Sequence, residues 1–485
     1  MWKFADDKLL ALLDSDTETV QGLAVLALGA LYARSPTGES PTSINIMMQL
    51  MQTWIQAAPK LELALTQGII AMGMVHAGEG EGFKDLVGSD FESYKSSPDN
   101  VREGIAIAAG LEAFPEPARV LEAALRDERP NVNFGGALGT IQWILDNGVF
   151  PAEDFQALIQ KMIMSEYFDG SSLALLAYGL QLWNASDAQA ALPFIEQAIT
   201  IDEPYEKRVA AVLASVLAHV TFPDKYRAMQ DFRKYLDAGG WAIMATGPAL
   251  ALMLISDRIP ITMAEFEASP FFLPSPDQDI YCMNAFLLAI TILASNGAND
   301  IRDFVLQAFS ECGPQEMARL PDVACVFQAC QGVLATVADN PREYFLRLLR
   351  EEFGPVLENP GTDFDATRAK MGAALGIGLA LYFARVQAGG ASQNQSRDLQ
   401  IATVDGITEE LLTEVTRLLS FVLDGPASEA AIVALVAGAA DLEFFRKFLL
   451  IYAAYQISLG DYTYYKILLI ILAVFLIVHA KFAGK

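Results

Sequence analysis

The sequence predicts an all-α protein: a two-layer α-solenoid or toroid of about 10 helical-hairpin repeats, followed by a C-terminal apolar helix. Three observations lead to this fold class. Hydrophobic residues make up 53% of the chain and charged residues only 19%, which is enough apolar surface for a large core. Segments rich in alanine and glycine recur along the chain. Between them lie segments with the apolar spacing of amphipathic helices.

The small-residue segments are apolar on nearly every side, which predicts helices covered by protein on all faces. Most of their starts lie about 40 residues apart, within the range of two-helix repeats. The segments begin at Gly22, Gly68, Gly104, Gly135, Leu173, Val209, Gly247, Ala285, Cys325, Gly372 and Ala431.

The intervening segments carry apolar residues at i, i+3, i+4 and i+7 with charges between them, which predicts half-exposed helices. They follow Pro115 or begin at Ala152, Tyr226, Ile301, Arg342 and Leu411. In the segment from Arg342, we expect the core to receive Tyr344, Leu346, Leu348 and Leu349. We expect the solvent face to carry Arg347, Arg350 and Glu351.

Glycines recur inside the small-residue segments, at Gly29, Gly73, Gly139, Gly179 and Gly376. Each costs about 1 kcal/mol of helix propensity relative to alanine. Because they recur at similar places in the unit, we expect close approach of two helix backbones to offset that cost. The alternative is a globular bundle of unrelated buried helices.

Two segments resemble proteasome/cyclosome repeats, namely residues 372–380 (GAALGIGLA) and 121–148, with weaker likenesses at Gly22, Gly68 and Gly104. HEAT-like repeats share this small-residue pattern. The proteasome/cyclosome family implies helical pairs that close into a toroid, whose role is to dock partners. Residues 176–204 resemble one tetratricopeptide unit, with Tyr178 and Gly179 before a turn. Both likenesses imply a helical-hairpin array, here residues 1–440, with an interaction surface.

The last segment of the chain contains ILLIILAVFLIV at residues 467–478, flanked by tyrosines and lysines. Such flanks suit the two interfaces of a membrane, and residues 462–481 are predicted to be a transmembrane tail anchor. The anchor residues are Tyr464, Tyr465, Lys466, Ile467, Leu472, Phe475, Val478 and Lys481. Residues 441–460 are predicted to be an interfacial helix or the last packing helix. The alternative for the tail is a helix or strand buried in protein.

Two loops are expected to interrupt the array, near residues 266–279 and 388–405. The first contains three prolines, which exclude a continuous helix. It also carries Phe271 and Phe272, which must be buried in the core or in a partner.

Charge and motifs limit the chemistry. The formal net charge of −26 repels phosphate backbones, so we expect no nucleic-acid partner. Phosphate-binding loops, nucleophile elbows and zinc-protease motifs are absent, and the chain has three histidines and four cysteines. His76 and His219 lie in apolar segments and are interpreted as core histidines. We therefore expect no enzyme activity, no cofactor, and no catalytic, cofactor-binding or metal-binding residue.

The functional hypothesis is a scaffold or docking subunit of a membrane-associated multiprotein complex. It would bind other protein subunits through the repeat surface and membrane lipid through the C-terminal segment, with the repeats on the cytoplasmic side. One alternative is a soluble, proteasome-like adaptor whose tail is buried in its own core. Another is an α-toroid enzyme or a carrier of an apolar ligand.

Overall fold

The computed structural model confirms the all-α class, because every regular element in the described part of the chain is a helix. The structure describes residues 1–33, 41–57, 62–79, 88, 90–152, 154–163, 168–185, 214, 241–255, 280–295, 321–336, 338–389, 409–458 and 463–483. The helices are α1 (Trp2–Leu12), α2 (Glu18–Tyr32), α3 (Pro41–Ala57), α4 (Glu62–Val75), α5 (Phe91–Ser96), α6 (Asp99–Gly110), α7 (Pro117–Leu125), α8 (Pro130–Asn147), α9 (Phe155–Ile163) and α10 (Phe168–Ala185).

The later helices are α11 (Trp241–Ile255), α12 (Ile280–Ser295), α13 (Pro321–Leu334), α14 (Pro341–Arg347), a π-helix (Leu348–Phe353), α15 (Gly354–Leu357), α16 (Phe364–Gly389), α17 (Glu409–Val422), α18 (Ser428–Ala439), α19 (Leu442–Ser458) and α20 (Thr463–Ala483). The bounds expected for the last two segments, 441–460 and 462–481, lie within two residues of α19 and α20.

The chain forms two compact units. The N-terminal unit comprises Asp6–Ala242 and Glu443–Leu459, and the C-terminal unit comprises Met1–Ala5, Ile243–Leu442 and Gly460–Lys485. Helix α19 therefore belongs to the N-terminal unit, although it follows most of the C-terminal unit in sequence.

In the N-terminal unit, small-residue helices lie side by side in chain order. Helix α2 contacts α4, α4 contacts α6, α6 contacts α8, and α8 contacts α10. The intervening helices α3, α5, α7 and α9 lie against these helices. The buried residues of α7 are Val120, Leu121, Ala124 and Leu125, and those of α9 include Phe155, Leu158, Ile159 and Met162. Both helices are therefore amphipathic, as expected.

The C-terminal unit repeats this order of contacts. Helix α12 contacts α13, α13 contacts α16, and α16 contacts α18. The half-exposed helix α17 lies against α15, α16 and α18, and buries Leu411, Val415, Leu418, Leu419 and Val422. The guanidinium of Arg385 donates to the carbonyl oxygens of Ala437 and Ala440, at 2.8 and 2.6 Å, and so satisfies acceptors at the end of α18.

The recurrent glycines permit the close contact of neighbouring helices, and this prediction is confirmed. A Cβ atom on Gly29 would lie 2.5 Å from the Cα of Ala71 in α4. A Cβ atom on Gly376 would lie 2.5 Å from the carbonyl oxygen of Gln328 in α13. Neither distance is compatible with a real side chain, so the backbones approach as closely as glycine allows. The close contact offsets the cost of glycine in a helix.

The segment from Arg342 differs in part from its prediction. Leu348 and Leu349 are buried, and Arg347, Arg350 and Glu351 are exposed, as expected. Tyr344 and Leu346 are only half-buried. The buried stripe is centred on Phe345, at i, i+3 and i+4, so Tyr344 and Leu346 lie on its flanks. The π-helix then brings Phe353 into the core, where a regular α-helix would place the charged Glu352.

Candidate docking surface

Ion pairs connect successive half-exposed helices. In the N-terminal unit, Arg126, the C-cap residue of α7, binds Glu122 of α7 at 2.7 Å and Asp154, just before α9, at 2.8 Å. In the C-terminal unit, Arg350 of the π-helix binds Glu410 of α17 at 2.6 Å. These pairs are about half exposed, and such pairs contribute only about 0–1 kcal/mol each. Their main effect is to hold charged side chains in a defined arrangement on the surface.

A cleft of about 570 Å³ lies on the half-exposed side of the C-terminal unit. The lining residues come from α14, the π-helix and the turn before them: Ala338, Asp339, Asn340, Glu343, Tyr344, Leu346, Arg347, Arg350 and Glu351. The Asn340 side chain accepts from the backbone N–H of Glu343, as a helix N-cap does. The cap fixes where α14 begins, and therefore fixes the cleft.

Tyr344 and Arg347 are the side chains of the cleft best suited to protein recognition. The Arg347 guanidinium lies over the Tyr344 ring, 4.9 Å from its centre. Arg347 is exposed, and its guanidinium also forms a hydrogen bond with the Tyr344 side chain. Tyrosine and arginine are enriched where binding energy concentrates in protein interfaces, and Leu346 adds apolar surface beside them. The arrangement suits a protein ligand.

The N-terminal unit contains a buried carboxyl group, that of Glu103. Glu103 of α6 accepts a 2.6 Å hydrogen bond from the Tyr455 hydroxyl of α19. Burial raises the pKa of Glu103 to about 7, although the hydrogen bonds from Tyr455 and Asn131 lower it. Burial, and then the neighbouring Glu103, raise the pKa of Tyr455 well above its ordinary value.

A second polar contact joins α19 to the same unit. Lys447 of α19 is buried and binds Asp146 of α8 at 2.8 Å and Glu443 of its own helix at 3.0 Å. The Tyr455 ring also packs edge-on against Phe134 of α8, with 5.3 Å between ring centres. The described contacts of α19 with this unit thus include an ion pair, a hydrogen bond and an aromatic contact, beside the burial of its apolar side chains.

Metal-ligating side chains do not cluster in the described part of the chain. No group of three or more histidine, cysteine, aspartate or glutamate side chains there could hold a metal ion. The Cys325 and Cys330 thiols are buried, and burial raises the pKa of each to about 12, so neither is a nucleophile at neutral pH. The interpretation of His76 as a core histidine is wrong: it lies in the turn after α4, partly exposed, with 2.6 Å between Nδ1 and a carboxylate oxygen of Glu79.

The predicted anchor residues belong to one helix, α20, which contacts α13 and α16 of the C-terminal unit. All side chains of Leu468–Ile477 are buried, with Leu472 and Phe475 each 1% exposed. Phe475 lies 6.2 Å from Phe383 of α16, between ring centres. The side chains of Tyr464, Tyr465, Lys466, Ile467, Val478 and Lys481 lie outside the described set, as do the whole residues Phe271 and Phe272.

A different helix is the membrane-span candidate by length and composition. Within the described residues, only Phe364–Val386 of α16 qualifies. Its 18-residue apolar stretch has a mean hydropathy of 1.3, and 78% of that stretch is buried. Core helices of soluble proteins meet the same criterion, so this finding is weak support for a membrane location. The predicted anchor in α20 stays a prediction.

Two features of these sites were not expected from the sequence. Glu103 and Tyr455 lie 352 positions apart, and no local pattern pairs them. The π-helix has no composition signal of its own, although Glu351 and Glu352 in the middle of the segment disturb its apolar spacing.

Comparisons with known proteins give no family assignment. No protein-family model matches the chain, and no curated protein matches it. The likeness to proteasome/cyclosome repeats therefore depends on residues 121–148 and 372–380 and on the weaker segments beside them.

Proposed function

We propose that this protein is a non-catalytic scaffold that binds other proteins through its half-exposed helices. One observation carries the proposal: among the described residues, successive small-residue helices contact one another in each unit, and half-exposed charged helices lie against them. The surfaces of the small-residue helices are buried against each other and are not accessible to partners. The charged helices, with the cleft at Tyr344, supply the surface that remains for partners.

The same contacts support a two-layer solenoid or toroid of about ten helical hairpins as the architecture of this scaffold. Neighbour-to-neighbour packing is what a repeat array requires, since each hairpin buries its apolar face only against the next. Array surfaces of this kind are long, and they suit partners that make several contacts at once.

Of the two interpretations of the C-terminal segment, we propose the one in which it is buried in the protein itself. Helix α20 is then a core helix of the scaffold. Ten consecutive apolar side chains, Leu468–Ile477, are covered by protein. At about 25 cal/mol per Å² of apolar surface, such burial stabilises the C-terminal unit strongly. A helix used in this way is not available to lipid.

Photo-crosslinking tests the docking proposal. A benzophenone amino acid replaces Leu346 in the cleft, and a matched variant carries it at Val149, which is 47% exposed in the other unit. In cells that produce the chain, we expect Leu346 to yield discrete protein adducts, and R347E to remove them without unfolding the chain. Equal adducts at both positions, or none at Leu346, would contradict docking at this cleft.

The membrane-associated scaffold is the second candidate, and one observation favours it. Helix α20 has 21 residues, which at about 1.5 Å per residue matches the roughly 30 Å hydrocarbon core of a bilayer. Alkaline carbonate extraction of cell membranes distinguishes the two forms. A chain with α20 in its own core is released into the supernatant, whereas a tail-anchored chain stays in the pellet.

A further inference from the structure

We propose that the contact between Glu103 and Tyr455 is a proton-operated latch. Helix α19 is held firmly on the N-terminal unit while the Glu103 carboxyl is protonated, and its hold weakens when the proton leaves. The inference is independent of the scaffold proposal, since it concerns only the attachment of α19 to α6 and α8.

The geometry places a buried carboxyl group without a counter-charge in contact with α19. Glu103 is 7% exposed and meets the Tyr455 hydroxyl at 2.6 Å. In the part of the chain that the structure describes, no cationic side chain forms an ion pair with it. An ionised carboxylate in such a place is costly, because burial removes its hydration and only neutral hydrogen-bond donors replace it.

The charged groups of α6, α8 and α19 that form described ion pairs are directed away from Glu103. On α6, the guanidinium of Arg102 binds Asp99 at 2.8 Å and Asp127, which follows α7, at 2.5 Å. On α8, Asp146 pairs with Lys447, and the other partner of Lys447 is Glu443 on α19. The α8 residue that reaches Glu103 is Asn131, which is neutral. No described neighbouring charge compensates Glu103, so loss of its proton leaves an uncompensated negative charge in a buried place.

The rest of the hold on α19 comes from apolar burial, since Phe444, Phe448, Leu449 and Tyr452 are buried. The proton of Glu103 therefore changes the strength of a docking that packing already provides, and does not decide alone whether α19 docks.

The sign of the pH effect follows from proton linkage. With α19 docked, burial holds the pKa of Glu103 at about 7, and exposure returns it towards the ordinary value of 4.5. The docked state therefore binds the proton more tightly, and docking weakens as the pH rises through this interval. Between about pH 6 and about pH 8.5 the docking equilibrium falls by roughly tenfold.

Hydrogen exchange of the full chain, read by mass spectrometry, tests the latch. The exchange of α19 peptides is expressed as protection factors, which removes the pH dependence of the intrinsic exchange rate. We expect about a tenfold loss of protection between pH 6 and pH 8.5 in the wild type. We expect less than a twofold change in E103Q, which stays neutral, and an unchanged tenfold loss in E92Q, an exposed glutamate on α5.

Y455F provides a test if E103Q does not fold. The hydroxyl of Tyr455 lowers the pKa of Glu103, so its removal shifts the loss of protection to higher pH. A wild type whose α19 protection does not change with pH would overturn the latch. So would an E103Q variant with the wild-type loss, or a Y455F midpoint that is unchanged or lower.

Discussion

At the scale of single residues, the described ion pairs fall into two groups that differ in solvent exposure. Lys447 is buried between Asp146 and Glu443, whereas Arg119 and Glu116 on α7 are both about half exposed. Exposed pairs gain little because water screens them and long side chains lose entropy. Removal of one partner from a buried pair leaves a charge that is poorly solvated.

We predict that K447A destabilises the N-terminal unit by about 2 kcal/mol, less than the 3–5 kcal/mol typical of fully buried pairs because Asp146 keeps some exposure. The matched variant R119A should cost less, at most about 1 kcal/mol, from its exposed pair with Glu116 and its cation–π contact with the Phe91 ring. Urea titrations of the two variants, monitored through hydrogen exchange of α8, measure both losses of stability. Equal costs would show that burial does not distinguish the two pairs.

Residue-level contacts were only partly predictable. The outward positions of Arg347, Arg350 and Glu351 followed from helical periodicity, because all three lie opposite the apolar stripe of one helix. The Glu103–Tyr455 hydrogen bond could not follow from the sequence, because it depends on where α19 returns to the N-terminal unit. Periodicity assigns a residue to a face, but tertiary packing selects its partner.

At the scale of helices, glycine determines how closely two backbones approach. Gly29 and Gly376 each face backbone atoms of the neighbouring helix, which cannot move as a flexible side chain can. Gly425 is different, because the nearest atom to its Cβ position is the Val422 carbonyl oxygen at 3.7 Å.

We predict that G29A and G376A each destabilise the unit that contains them by about 1–3 kcal/mol, despite the gain of about 1 kcal/mol in helix propensity. The steric cost is larger because a whole helix must shift. G425A, which meets no close atom, should change stability by less than about 0.5 kcal/mol. The comparison uses urea midpoints of the purified chains, and a stabilised G29A would refute the close-packing argument.

The sequence predicted most helices and their two kinds, because small-residue and amphipathic segments differ in apolar pattern over ten or more residues. It did not predict the π-helix at Leu348–Phe353, which arises when the core accepts Phe353 in place of Glu352. It also left open whether α20 meets lipid or protein. Both environments favour the same apolar side chains, so composition cannot separate them.

At the scale of the whole molecule, the apolar segments serve packing and the charged helices face solvent. In the C-terminal unit this includes α20, whose side chains from Leu468 to Ile477 are covered. In the N-terminal unit it includes α19, buried from Phe444 to Tyr455 apart from Arg446. The proposed scaffold function depends on this division, because partners then find a defined, charged surface rather than exposed apolar helices.

Hydrogen exchange along the full chain in detergent-free buffer tests this division most directly. We predict that peptides covering Leu468–Ile477 exchange as slowly as those of α18, and that the half-exposed helices α7, α9 and α17 exchange faster than the small-residue helices beside them. A chain that needs detergent to stay in solution, or that exchanges rapidly at Leu468–Ile477 while α18 stays protected, would contradict the account.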